Sequence, residues 1–204
     1  MGELTISTFL SLDGVMQAPG GPTEDPSGGF THGGWLVPYF DEGMGAAMTE
    51  IFTKVDAFLL GRTTYDIFAA YWPNVPSPDD NGLNTLPKFV ASRTRTSFSW
   101  NATSHIQDVV KDVPGLKQRF AREIQVHGSC GLAQTLIEND LIDEYRLFTF
   151  PVLLGSGRRL FGAGTVPASL TLVSSHTTSS GVVVSVYRRA GSLITGSYGS
   201  TGSE

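Results

Sequence analysis

Apolar and polar positions alternate along residues 4–12 (LTISTFLSL), which predicts a strand that ends at the Asp13-Gly14 turn. The period then changes. Over residues 41–55, Met44, Ala47, Met48, Ile51, Phe52 and Val55 recur three and four positions apart and mark one face of a helix. Asp41 and Glu42 sit at its start, where a helix favours carboxylates. Residues 57–60 are short and wholly apolar, as a buried parallel strand is, and Gly61-Arg62-Thr63-Thr64 then opens a helix carrying Tyr65, Ile67, Phe68 and Tyr71. Residues 88–92 (KFVAS) give another buried strand. No single period governs residues 97–112, and residues 116–120 read as the end of a helix leading into Ile124.

The longest coherent stretch runs over residues 124–160. A β-branched run (Ile124, Val126) breaks at Gly128-Ser129, and Leu132, Ala133, Leu136, Ile137 and Leu141 follow at helical spacing. An alternating run over 145–150 and a Gly155-Ser156-Gly157 turn complete a strand, turn, helix, strand order. Ser129 is the expected N-cap, and Gly128 and Gly131 let another group approach the backbone. A helix start of this kind offers unpaired N–H groups and the positive end of a dipole, which suits the diphosphate of a nucleotide. Residues 169–174 and 182–188 read as two antiparallel strands joined near Ser179-Ser180-Gly181. The pattern is a strand-first α/β domain of about eight strands and four helices, closed by an antiparallel hairpin. It spans residues 1–190, and the Gly/Ser-rich residues 191–204 read as a disordered tail.

Composition narrows the function. With 40% hydrophobic and 16% charged residues among 204, the chain can bury a substantial core. A net charge of -5 argues against a nucleic-acid partner, which needs a basic face. No run approaches the ~20 apolar residues of a membrane span, and no signal peptide is visible, so the expected compartment is the cytoplasm. A single cysteine, Cys130, forms no intramolecular disulfide, and the four histidines lie at no ligand spacing, so no metal site is expected.

Several residues carry candidate chemistry, each with a plainer alternative. Residues 15–35, rich in glycine and proline, are either a surface insertion or a cover over a site, with Phe30 and Trp35 placed to lie against a flat ring. Gly61, Arg62, Thr63 and Thr64 are either a capped helix start with a surface arginine or part of a dinucleotide site. Arg93 and Arg95, just after a strand, are either solvated or held for a 2′-phosphate. Asp13 is either half of a turn-forming pair or a carboxylate that orients substrate and relays a proton. The run His127-Gly128-Ser129-Cys130-Gly131 partly mimics a hydrolase elbow, with Asp143 and His176 following in the chain order such enzymes use.

Taken together, Ser11-Leu12-Asp13-Gly14, Gly61 to Asp66 (GRTTYD), Val90-Ala91-Ser92, Val126-His127-Gly128-Ser129 with Leu132 and Leu136, Leu141 to Glu144 (LIDE), and Pro151 to Gly155 (PVLLG) resemble the dihydrofolate reductase-like superfamily. The closer resemblance is to its riboflavin-biosynthesis (pyrimidine) reductase branch, over roughly residues 3–189. The resemblance implies a three-layer α/β fold around a central, mixed, mostly parallel sheet that binds NADPH across the strands' C-terminal ends. It places the adenosine half and 2′-phosphate at Gly61, Arg62, Thr63, Thr64, Ser92 and Arg93, and the diphosphate at Gly128, Ser129, Cys130, Gly131 and Leu132. The nicotinamide would lie near Asp13, with Ser11, Gly14 and Trp35 around the substrate. It implies hydride transfer to a small polar heterocyclic or carbonyl compound, and a homodimer. A non-catalytic nucleotide binder is the alternative. Two positions depart from the pattern: Ser7 stands where riboflavin reductases carry a substrate-binding lysine, and Gly45 falls where dihydrofolate reductases place an acidic residue.

Overall fold

A computed structural model describes residues 1–162 and 165–198. One eight-stranded sheet organises them, built from β1 (Glu3–Ser11), β2 (Val55–Gly61), β3 (Lys88–Ala91), β4 (Thr103–Ile106), β5 (Glu123–His127), β6 (Glu144–Phe150), β7 (Leu170–Thr177) and β8 (Val183–Arg189). The spatial order is β4-β3-β2-β5-β1-β6-β8-β7. The first six strands are parallel to one another, and β8 pairs antiparallel with both β6 and β7. The expected mixed sheet with a C-terminal antiparallel hairpin is the sheet found.

Four α-helices cover it: α1 (Glu42–Phe52), α2 (Arg62–Tyr71), α3 (Val109–Arg119) and α4 (Cys130–Glu138). On one face, Val113 and Leu116 of α3 and Leu132, Ala133, Leu136 and Ile137 of α4 pack on Leu4, Ile6, Leu59, Ile124 and Val126. On the other, Met44 and Ile51 of α1 pack with Phe148 and Phe150, while Tyr65 of α2 packs with Phe58 and Leu60. This is the three-layer arrangement, because each helix buries one apolar stripe on one side of a sheet that has two.

Residues 97–112, which no period resolved, contain β4 and the start of α3. β4 is a four-residue edge strand with a mostly polar sequence (TSHI), and α3 carries Pro114 and Gly115 in its interior. Both weaken the local signal. The insertion at residues 15–35 is packed rather than loose. Phe30 and Trp35 are buried among Val15, Ala18 and Phe150, and Trp35 Nε1 donates to the Gln17 carbonyl at 2.8 Å. Gln17 Nε2 in turn donates to the carbonyls of Asp25 and Ser27.

One stripe of the α1 face is polar. β5 contributes Glu123, Gln125 and His127, β1 contributes Thr5 and Ser7, and β6 contributes Glu144 and Arg146, all buried. The parallel register sets Thr5 beside Gln125 and Ser7 beside His127. Arg146 donates to Glu123 at 2.7 and 2.8 Å and to Glu144 at 2.7 Å, and Arg188 links Glu144 to Glu3 at the surface. Burial alone would raise Glu123, but hydrogen bonds from Arg146 and Gln125 outweigh it and hold the carboxyl below its ordinary range.

Candidate functional site

The C-terminal ends of the parallel strands open onto a cleft of about 1760 Å3. A single-ligand pocket is typically about 300–1,000 Å3, so this cleft has room for two ligands side by side. One wall is made by three junctions: β2 to α2 (Gly61–Thr64), the end of β3 (Ser92, Arg93) and β5 to α4 (Gly128–Leu132). The opposite wall is apolar, with Phe9, Met44, Met48 and Phe52, and the insertion supplies Gln17, Ala18, Glu24 and Asp25 at the rim.

The four helices differ at their first turns. α1 is capped by Asp41, whose carboxylate accepts from Met44 N at 2.8 Å, and α3 by Asp108, which accepts from Lys111 N. α2 and α4 have no side-chain cap. Both of these N-termini line the cleft, so their first-turn N–H groups face it without a side-chain acceptor, whereas the first turn of α3, which lines it too, is capped by Asp108.

Ser129 explains part of this. It stands at the N-cap position as expected, but its backbone is left-handed (φ 66°), and its side chain turns away from its own helix. Its Oγ accepts from Gly61 N at 2.8 Å and donates to Thr64 Oγ1 at 2.6 Å, clasping the two junctions together. A Cβ added at Gly61 would sit 2.6 Å from Ser129 Oγ, so only glycine permits the clasp. A Cβ at Gly131 would meet nothing, which leaves that backbone open to the cleft.

Four basic side chains line the cleft, and three are already paired. Arg62 bonds Asp66 at 3.2 Å, Lys111 bonds Asp108 at 3.0 Å and Arg158 reaches Asp25 at 3.5 Å. Arg93 has no ion pair or hydrogen bond among the described residues. Arg95 is committed elsewhere, bonding Asp66 at 2.5 Å and lying over the rings of Tyr65 and Phe98.

A scan against protein-family models matches residues 3–184 to the RibD C-terminal domain. The chain belongs to that family. Among curated proteins it is 29% identical over 190 residues to the uncharacterized protein YyaP of Bacillus subtilis, covering 91% of this chain and 94% of that one. Among solved structures it is similar to a putative riboflavin biosynthesis protein from Shewanella sp. PV-4 (TM-score 0.66, 23% identity, 92% and 99% of the two chains). It is also similar to dihydrofolate reductase from Enterococcus faecalis complexed with NADP(H) (TM-score 0.60, 11% identity, 92% and 96%). At these identities the structural likenesses establish the dihydrofolate reductase-like fold of this RibD-type domain.

Within that domain, the cleft brings together every residue expected at the cofactor: Gly61, Arg62, Thr63, Thr64, Ser92, Arg93, Gly128, Ser129, Cys130, Gly131 and Leu132. The residues expected around the substrate lie elsewhere. Asp13, Ser11, Gly14 and Trp35 are absent from the cleft's walls. Asp13 fastens a turn: its carboxylate accepts from Ser11 Oγ at 2.6 Å and from the N–H groups of Leu154 and Gly155. These bonds, the Ser11 hydroxyl foremost, lower it to about 2, far from the range of a proton relay near neutral pH. Trp35 is consumed by the core beneath the insertion and covers no site.

The hydrolase constellation is not assembled. Ser129 Oγ is held by Gly61 and Thr64, Asp143 bonds Leu4 N and Lys117, and His176 lies on the outer strand β7. Cys130 is partly buried, and burial pushes its thiol up to about 11, so it is a filler in the turn.

Ser7 and His127, one read as a departure and the other as an isolated histidine, both line the cleft. So do Glu24 and Asp25, whose place in an aperiodic insertion gave no signal, and Lys111 and Arg158. For His127 a signal existed: Glu123, Gln125 and His127 are polar at every second position of a strand that is buried throughout.

Proposed function

We propose that the cleft binds NADPH and delivers its hydride to a small polar heterocyclic or carbonyl substrate. The observation that carries this reading is the pair of uncapped helix N-termini, clasped by Ser129 and facing one cleft beside the unpaired Arg93. Backbone N–H donors at a helix start suit a diphosphate, and a free guanidinium suits a phosphate monoester. Gly128 to Leu132 hold the diphosphate, and Gly61 to Thr64 with Ser92 and Arg93 hold the adenosine half and its 2′-phosphate. The nucleotide supplies a hydride when bound. The protein contributes orientation and a largely dry apolar wall, from Phe9, Met44, Met48 and Phe52, against which a flat substrate lies.

Reduction of 5-amino-6-(5-phosphoribosylamino)uracil, the riboflavin-pathway step, is the model for this chemistry, and the missing lysine at Ser7 directs the choice of substrate away from its phosphate. In this reading the protein works in the cytoplasm as a homodimer. A nucleotide-binding protein without turnover is the second reading, and the absence of an acidic residue at Gly45 favours it.

Titration with NADPH and NADH, followed by nicotinamide fluorescence, tests the first step. NADPH should bind, and Arg93→Ala should weaken it about tenfold while leaving NADH unchanged, the value of one charge-assisted phosphate contact. If neither nucleotide binds, the proposal fails. Nucleotide binding without NADPH oxidation across a heterocycle and carbonyl panel selects the second reading.

A further inference from the structure

The layer of helices stops short of one end of the sheet. On the α3–α4 face, the packed cluster draws residues from β1 to β6 and takes in Tyr187 of β8 at its margin, with none, among the described residues, from β7. A sheet face that no second layer covers leaves its apolar residues in water. Here Leu170, Leu172 and Val173 of β7, with Phe161 and Val166 from the segment before it, are each between 38% and 54% exposed. The register fixes their side. Leu172 stands opposite Tyr187, which stands opposite Tyr145 of the α4-side cluster, and Leu170 lies two residues before Leu172 on the same face.

β7 is also the outermost strand. All eight of its residues are exposed, and it carries no lysine, arginine, aspartate, glutamate or proline, the residues that keep an open strand from association. A bulge between Leu172 and Ser174 breaks its register, which blunts the edge and leaves the face as the surface a partner can take. Beside the exposed residues, Ile137, Tyr145, Phe161, Val166 and Leu170 line a hollow of about 260 Å3. That is below the roughly 300–1,000 Å3 of a small-molecule pocket and suits one protruding apolar side chain.

We infer that a second copy of this chain packs on this patch, face to face about a two-fold axis that brings Leu172 of each copy over the hollow of the other. Area and charge select a second copy. The five exposed side chains present roughly 400 Å2, close to the apolar half of a standard interface of roughly 800 Å2 per partner. A two-fold contact turns one surface onto itself, so any charge in it meets its like. The titratable side chain of β7 is His176, which stands opposite Val184 and so leaves from the α1 face, and Arg189 at the margin is already paired with Asp140 at 2.6 Å. In a chain of net charge -5, this neutral patch is where two copies approach with little repulsion. The inference rests on the homodimer of the reductase reading and deepens it by assigning the interface.

Sedimentation equilibrium of the full chain should give a particle of twice 21.8 kDa. Leu172→Glu and Val173→Lys each place a charge in the contact and should weaken self-association about thirtyfold or more, with circular dichroism and NADPH affinity unchanged. Hydrogen exchange over residues 165–177 should slow as the wild-type concentration rises through the dissociation constant, and stay constant in Leu172→Glu over the same range. Should Leu172→Glu fail to fold, Val173→Lys decides.

A wild type that stays monomeric overturns the inference, as does a dimer that neither substitution weakens, since another face then joins the copies. Concentration-dependent protection that spares residues 165–177 overturns it too. The cleft is tested apart from this. A monomer that binds NADPH removes only the homodimer from the reductase reading, and a dimer that binds no nucleotide removes the reductase and keeps the interface.

Discussion

The polar stripe beneath α1 behaves differently at its two ends. Towards the start of the strands, Glu123, Glu144 and Arg146 satisfy one another, and Arg188 and Glu3 carry the chain of charges to the surface. Towards the cleft, on the same face and with the same burial, Ser7 has no partner and His127 keeps one nitrogen unused. Burial is therefore not what separates the two ends. A buried polar group that is fully bonded holds the fold together, and one left incomplete keeps hydrogen-bonding capacity that the protein does not use.

That contrast can be attacked at each point. The largest effect belongs to the closed end. Arg146→Met leaves Glu123 buried without its cation and Glu144 with Arg188 alone, and should lower unfolding free energy by about 3–5 kcal/mol in urea denaturation, with nucleotide affinity retained in the folded fraction. Loss of less than about 1 kcal/mol would mean that the network is solvated in solution.

The middle of the stripe is tested by pH. The unfolded imidazole titrates near 6.5, and folded His127 near 4. A histidine with a lowered folded value contributes stability that is present above 6.5 and lost as pH falls towards 4, because the unfolded chain then binds the extra proton. Between pH 8 and pH 5 the wild type should lose about 2 kcal/mol more than His127→Gln, measured by denaturation at both pH values. Parallel losses in the two proteins would show that another group titrates.

The smallest effect belongs to the open end. Ser7→Ala removes a hydroxyl that bonds nothing, so stability should stay within about 0.5 kcal/mol of wild type or rise slightly. A clear destabilisation would reveal an internal partner for Ser7 and close the gap between the two ends.

Much of the fold was legible before any coordinates. Alternating and helical-period runs located β1, β6, α1, α2 and α4, short apolar or β-branched runs located β2, β3 and β5, and a turn between two strand-like runs located β7 and β8. β4 escaped because a short edge strand shows little alternation, and of α3 only the end was legible because Pro114 and Gly115 interrupt its pattern. The wall of strand-to-helix junctions was legible for a related reason: glycines and hydroxyls at such junctions are local signatures. The pairing of Ser7 with His127 was not. Ser7 and His127 are far apart in sequence, and only the β1–β5 register makes them neighbours. Asp13 misled for the opposite reason, since a carboxylate in a turn has the same local sequence whether it serves the turn or a ligand.

The clasp between Ser129 and Gly61 joins segments that lie 68 residues apart in the chain. Neither strand–turn–helix piece, excised or grafted alone, would carry the cleft's backbone wall, since each lends the other its geometry. The recognition surface is thus an emergent property of the assembled sheet, and transplanting it to another scaffold means moving β2, β5 and both following helices as one block.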